Sequence, residues 1–239
     1  MTASAPKKTE PGDSAAAAVM EAALALPVWD LPVRLVHWSF VALIAFSWWS
    51  AEYGETQWHL RSGFTLMFLL LFRLLWGFLG SSTARFGSFV RGPRRVLAYL
   101  RDPSGWHRAG HSPLGALSVL ALLGLMGMQV GLGLLLSDED GVITGPLNRL
   151  VDFETAEWAR GVHKLLFNVL LGFIALHLAA ILFYRWRGNR LVRAMVTGRS
   201  DEIAAGAPAF AAAPRSRLLL CLAIAGGITA WVASGVPGL

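Results

Sequence analysis

Apolar residues run along this chain in five long blocks, not at the spacing of surface helices or strands. The blocks are Val33 to Ser50, Leu60 to Leu79, Pro113 to Leu136, Gly161 to Tyr184 and Arg217 to Gly235. Each comes near the roughly 20 residues a helix needs to cross a hydrocarbon core. The pattern predicts five membrane-spanning helices. The last block holds Gly226, Gly227 and Ser234, and interrupted backbone is tolerated in lipid only where neighbours satisfy it. Ahead of the first block, Ala, Pro, Lys, Ser and Glu predominate and Glu21 interrupts the best apolar run, so no secretory signal is expected. The pattern divides the chain into a disordered cytoplasmic tail (1–32, closing in a short helix), a transmembrane domain (33–200), and a linker with a fifth helix (201–239).

Composition strengthens this reading. Of 239 residues, 55% are hydrophobic and 15% charged, with a mean hydropathy of +0.52, which is too apolar for an ordinary soluble domain. The net charge of +6 would suit a nucleic-acid partner, but its distribution does not. Arg85, Arg91, Arg94, Arg95, Arg101 and Arg108 face only Asp102 in one loop, and seven arginines between Arg185 and Arg217 face Asp201 and Glu202 in another. The opposite loops carry Glu52, Glu55, Asp138, Glu139, Asp140, Asp152, Glu154 and Glu157, against Arg149 and Arg160. The positive-inside rule therefore places both arginine-rich loops and the N-terminus in the cytoplasm, and the C-terminus outside. The ten tryptophans fall mostly near helix ends, as interfacial anchors do. Membrane lipid, not nucleic acid, is the expected surrounding. The single cysteine, Cys221, is placed in the last helix; it rules out an internal disulfide, a C-x-x-C-H haem attachment and an iron–sulfur cluster ligated wholly by this chain's cysteines.

Four of the six histidines, His37, His59, His163 and His177, lie in the apolar blocks or at their outer ends. A polar ring in hydrocarbon needs a partner, so each is a functional candidate. His163 and His177 are fourteen residues apart on one helix, which puts them on one face and about 21 Å apart in depth. His37 lies one turn into the first helix at the cytoplasmic level, where the fourth helix brings His177. His59 and His163 open their helices at the external level. Depth pairs His37 with His177 and His59 with His163. Zinc sites gather four ligands around one ion, whereas two opposed imidazoles are an axial set for six-coordinate haem, here necessarily non-covalent haem b. Two haems b follow, and six-coordinate iron favours electron transfer over substrate chemistry at the metal.

Other residues could serve such a cofactor. Gly63 stands four residues after His59 on the same face, where a porphyrin could approach the backbone. Arg73 lies fourteen residues beyond His59, at the inner level, as a propionate partner or a side chain reaching back to the interface. Lys164 and Arg160 are candidates for the outer propionates. Gly124, Gly127 and Gly131 make a small-residue face on the third helix that suits close helix packing, and Gln129 suits a bond across helices. His107 and His111 read as loop residues, with His111 a candidate neighbour of the inner haem or of a quinone.

Five stretches carry a resemblance: "VWDLPVRLVHWS", "HLRSGFTLMFLLLFRLLWGFLGSSTARFGSFVRGPRRVLAYL", "GHSPLGALSVLALLGLMGMQVGLGLL", "VHKLLFNVLLGFIALHLAAILFY" and "NRLVRAMVTGR". From about Pro27 to Ser200 the chain resembles the bacterial cytochrome b-561 family, which includes the b-type cytochrome subunits of nickel–iron hydrogenases. The resemblance implies an all-α integral membrane four-helix bundle holding two haems b on the four membrane histidines. It implies electron transfer across the cytoplasmic membrane, with a periplasmic c-type cytochrome or a hydrogenase or dehydrogenase subunit on one side and the quinone pool on the other. Some relatives are superoxide oxidases that reduce ubiquinone, an alternative that the acidic outer loops disfavour for an anionic substrate. A haem-free membrane anchor is the other alternative. The fifth helix and the alanine-rich start depart from the family pattern.

Overall fold

The computed structural model describes residues 26–102, 110–141, 143–200 and 209–237. Most of the expected tail, His107 and residues 201–208 lie outside the described residues. Five helices are long and apolar enough to cross a membrane. Helix α1 (Leu31–Glu52) starts ahead of its apolar block because Asp30 caps it, Oδ1 accepting from the Val33 N–H at 2.8 Å, with Pro32 in the first turn. A turn at Gly54 (φ +70°) leads into α2 (Thr56–Leu79). The arginine-rich loop that follows folds into α3 (Phe86–Phe89) and the amphipathic α4 (Pro93–Arg101). Ser112 then caps α5 (Pro113–Leu135), accepting from the Gly115 N–H at 3.2 Å.

Helix α6 (Phe153–Trp186) departs most from expectation: it begins eight residues before the apolar block, so His163 sits more than two turns inside it. The cause is local. Asp152 caps the helix by accepting from the Thr155 N–H at 2.7 Å. Ala156 and Ala159 are buried while Trp158, Glu154 and Glu157 are exposed. Such an amphipathic start is invisible to hydropathy alone. A short α7 (Leu191–Thr197) and then α8 (Arg215–Ala233) complete the chain.

The helices form two hairpins: α1 packs on α2, and α5 on α6. Helix α2 joins them, packing extensively on α8 and more lightly on α5; among the described residues α6 packs extensively only on α5. The core is therefore centred on α2, with Leu66, Leu70, Phe72 and Trp76 against Val33, Val36 and Phe40 of α1, Met126 of α5, and Cys221 and Ala225 of α8. Between membrane helices no water-driven burial operates, so close van der Waals packing of small residues must hold them. Cys221 and Ala225, both fully buried, supply that surface on α8, and this places the fifth helix on the outside of α2. One end of α8 is tied to the inner side of the bundle, Ser82 and Ala211 exchanging hydrogen bonds of 2.9 and 3.0 Å. At its other end Arg149, from the α5–α6 loop, donates to the carbonyl of Gly235. Helix α8 thus runs the full depth of the bundle.

Residues 26–32, read from sequence as the end of the tail, are built into the fold. Leu26–Pro27 (β1) pairs antiparallel with Arg199–Ser200 (β2), and the N–H groups of Val28 and Trp29 donate to the Gly198 carbonyl at 2.8 and 3.1 Å. Gly198 ends α7 at φ +79°, and a Cβ there would meet the Trp29 carbonyl at 2.7 Å, so glycine is required on both counts. Arg34 donates to the Val196 carbonyl, locking α7 onto the start of α1. Trp76 is no interfacial anchor: it is buried and donates to Asp30 Oδ2 at 2.8 Å.

Candidate cofactor site

The structure brings the rings of His59 and His163 together across the gap between the hairpins, their centres 6.2 Å apart and their planes nearly perpendicular, at 84°. Each ring is held from behind. His59 Nδ1 lies 2.9 Å from the Ser47 carbonyl and 3.2 Å from its hydroxyl. His163 Nδ1 lies 2.9 Å from the Gln129 carbonyl. A carbonyl can only accept, so both Nδ1 atoms carry the proton and both Nε2 lone pairs are free to bind a metal. This is the arrangement in which metal-ligating histidines are oriented by a partner behind them. With a metal–imidazole bond of about 2.0–2.1 Å and the ring centre about 1.1 Å behind the nitrogen, two opposed rings would be centred roughly 6.3 Å apart. The observed separation of the ring centres is close to that distance.

Gly133 makes this placement possible. A Cβ there would meet His163 Cε1 at 3.2 Å and Nδ1 at 3.5 Å, so the ring lies flush against α5. At Gly63, in contrast, a Cβ would meet nothing within 4 Å, and the same holds at Gly124 and Gly131. Of Gly124, Gly127 and Gly131, only Gly127 lies against α2, where a Cβ would meet Leu70 Cδ2 at 3.8 Å. Small-residue packing thus accounts for Gly127, while Gly63, in the turn after His59, faces open space. Among the described residues no three His, Cys, Asp or Glu side chains converge.

At the inner level His37 and His177 lie within Coulombic reach of each other. The Ser118 hydroxyl lies 3.3 Å from His177 Nδ1, while His37 Nδ1 is buried without a hydrogen-bond partner. His111 belongs to this level and is not a solvated loop residue: its ring is sandwiched between Trp29 and Phe89, at 4.5 and 4.6 Å between centres. Its Nδ1 is buried and unpartnered, and it lies within reach of Arg73, His177 and His37 together. Burial, with these neighbours, pushes its imidazole pKa down to about 3, so His111 is neutral at any ordinary pH.

Arg73 does not reach back to the interface. It is 6% exposed, donates from Nη1 to the Ala84 carbonyl at 3.4 Å, and rests over the Phe86 ring at 5.3 Å. Phe86 is in turn seated on Gly77, where a Cβ would meet Phe86 Cε2 at 2.0 Å. Gly77→Ala must displace that ring and is expected to cost about 1–3 kcal/mol, read as a lowered thermal midpoint of the purified protein. Of the outer candidates, Lys164 is exposed and Arg160 is committed to Glu139 at 2.7 Å.

The match to known families follows the same boundaries. The family model of prokaryotic cytochrome b561 matches residues 28–198, from the strand that locks the bundle's inner end to the last residues of α7. The chain belongs to the prokaryotic cytochrome b561 family. No curated protein and no solved structure matches it. Membership makes this a multi-pass bacterial membrane protein, a b-type cytochrome that binds haem b and serves electron transfer. Helix α8 lies beyond the matched residues.

Sequence reasoning missed the serines behind these histidines and the use of the Gln129 main chain. Ser47, Ser118 and the Gln129 carbonyl act through helix pairings that no spacing rule reveals. Polar serines inside apolar runs were the only available hint.

Proposed function

We propose that this cytochrome holds two haems b in series. In this reading His59 and His163 ligate the outer one, and His37 and His177 the inner one, about 21 Å deeper by helix rise. The single observation that carries it is the pair of imidazoles whose centres lie 6.2 Å apart with both Nδ1 atoms engaged by main-chain carbonyls. Haem iron supplies one-electron chemistry when bound. With these histidines holding the haems, the chain's residues would orient and insulate the groups and activate no substrate. Arg73 is the cation available to the inner carboxylates. A dithionite-reduced minus oxidised spectrum of the purified protein tests the reading: two resolvable b-type components support it, and a single component sinks it.

The electrons would pass between a periplasmic redox protein and the quinone pool, with the arginine-rich end and N-terminus in the cytoplasm. The acidic outer loops favour a basic donor, such as a cationic c-type cytochrome, over an anionic one. A hydrogenase or dehydrogenase subunit is the other donor class. Reduction by a basic cytochrome should slow at least about tenfold between low and high salt as screening shortens the reach of these charges. A rate indifferent to ionic strength would remove the basic-donor reading.

A further inference from the structure

The two histidine pairs are supported unequally, and every difference runs the same way. At the outer level both Nδ1 protons go to fixed main-chain carbonyls, at 2.9 Å each. Such donation makes an imidazole a stronger electron donor to its metal and favours the oxidised state. At the inner level His177 has only a hydroxyl at 3.3 Å, and His37 Nδ1 has no partner. These ligands push less charge onto the metal. Arg73 adds to the contrast as a buried cation beside the same cluster, where low dielectric lets a positive charge favour an added electron.

The opposing charges do not cancel this asymmetry. Asp30, which accepts from the Val33 N–H and the Trp76 Nε1–H, lies within reach of Arg73 and offsets part of its charge, but it leaves the difference in hydrogen bonding between the two levels untouched. At the outer level Arg61 and Lys164 are exposed, hence screened by water and salt, and Arg160 is paired with Glu139.

We infer that the inner site is the more oxidising of the two, so the bundle itself drives electrons inward, from the outer histidine pair to the inner one. This rests on the di-haem reading. In the step one electron leaves a ferrous outer iron, which becomes ferric, and converts a ferric inner iron to ferrous. The donor is the periplasmic redox protein, and a quinone takes the electron onward. Arg73 and the bare Nδ1 of His37 set this order, and the long Ser118 bond to His177 opposes it only weakly.

A spectroscopic redox titration of the full chain in lipid nanodiscs tests it, with haem per polypeptide measured on the same samples. The wild type should titrate as two components whose equilibrium favours the inner haem by about tenfold or more, or about 59 mV for one electron. Arg73→Gln should lower the higher-potential component alone, and Arg73→Lys should restore most of it. Should Arg73→Gln fail to fold, Ser118→Ala serves instead: loss of the hydroxyl should raise the higher component and leave the lower where it is. Movement of the lower component, of both alike, or of neither would overturn the inward order while two haems remain bound. Fewer than two haems in the wild type would instead bring down the di-haem reading, and this inference with it.

Discussion

His177→Ala is expected to halve the haem content of the purified protein, removing the inner haem and keeping the outer. The argument is one of distance. His177 and His163 share α6 but stand fourteen residues apart, so about 21 Å of helix separates the two levels. The outer pair draws its supports from Ser47 and Gln129, neither of which touches the inner level. The mirror experiment, His163→Ala, should remove the outer haem and spare the inner. The readout is pyridine haemochrome per polypeptide, with a reduced-minus-oxidised spectrum to identify the surviving component. A His177→Ala protein that kept both haems would contradict the ligand assignment.

Gly63→Phe is expected to abolish the outer haem with little harm to the fold. A side chain at this position meets no protein atom within 4 Å of its Cβ, so the helices themselves need not move. Yet the position lies one turn from His59 on the same face, in the space a macrocycle would occupy. The core contacts of α2 are made by Leu66, Leu70, Phe72 and Trp76 and should survive. Gly63→Ala, far smaller, should keep both haems. If Gly63→Phe bound two haems as tightly as the wild type, the open space beside Gly63 would belong to lipid and not to the cofactor.

Much of this was legible in the sequence, for physical reasons that can be named. Span lengths and the separation of His163 from His177 follow from helix rise, and rise is nearly invariant. Depth alone therefore paired His59 with His163, which the structure sets 6.2 Å apart. The early start of α6 escaped because Phe153 to Arg160 is amphipathic and depends on a cap at Asp152. His111 escaped for a different reason: its burial is created by Trp29 and Phe89, which tertiary packing brings together from distant segments. The hydrogen bonds behind His59 and His177 escaped likewise, since Ser47 and Ser118 act from neighbouring helices. Hydropathy also could not tell where the fifth helix sits; that was set by the small buried surface of Cys221 and Ala225 against α2.

The charge pattern links this architecture to its proposed direction of use. Acidic loops lie at the end the proposal sets outside, while the other end carries the arginine-rich loops and one buried cation, Arg73. The same asymmetry that would orient the chain in the membrane by the positive-inside rule would also favour an electron at the proposed inner level. Orientation and electron flow would then share one physical origin.

The most direct test of the account is the ratio of haem b to polypeptide in the purified wild-type protein, measured by pyridine haemochrome against quantitative amino-acid analysis. Two haems per chain, both extracted by acidified acetone as non-covalent groups, is the predicted result. A ratio of one would contradict the paired-level architecture, and a ratio of zero would contradict any redox role for the four membrane histidines.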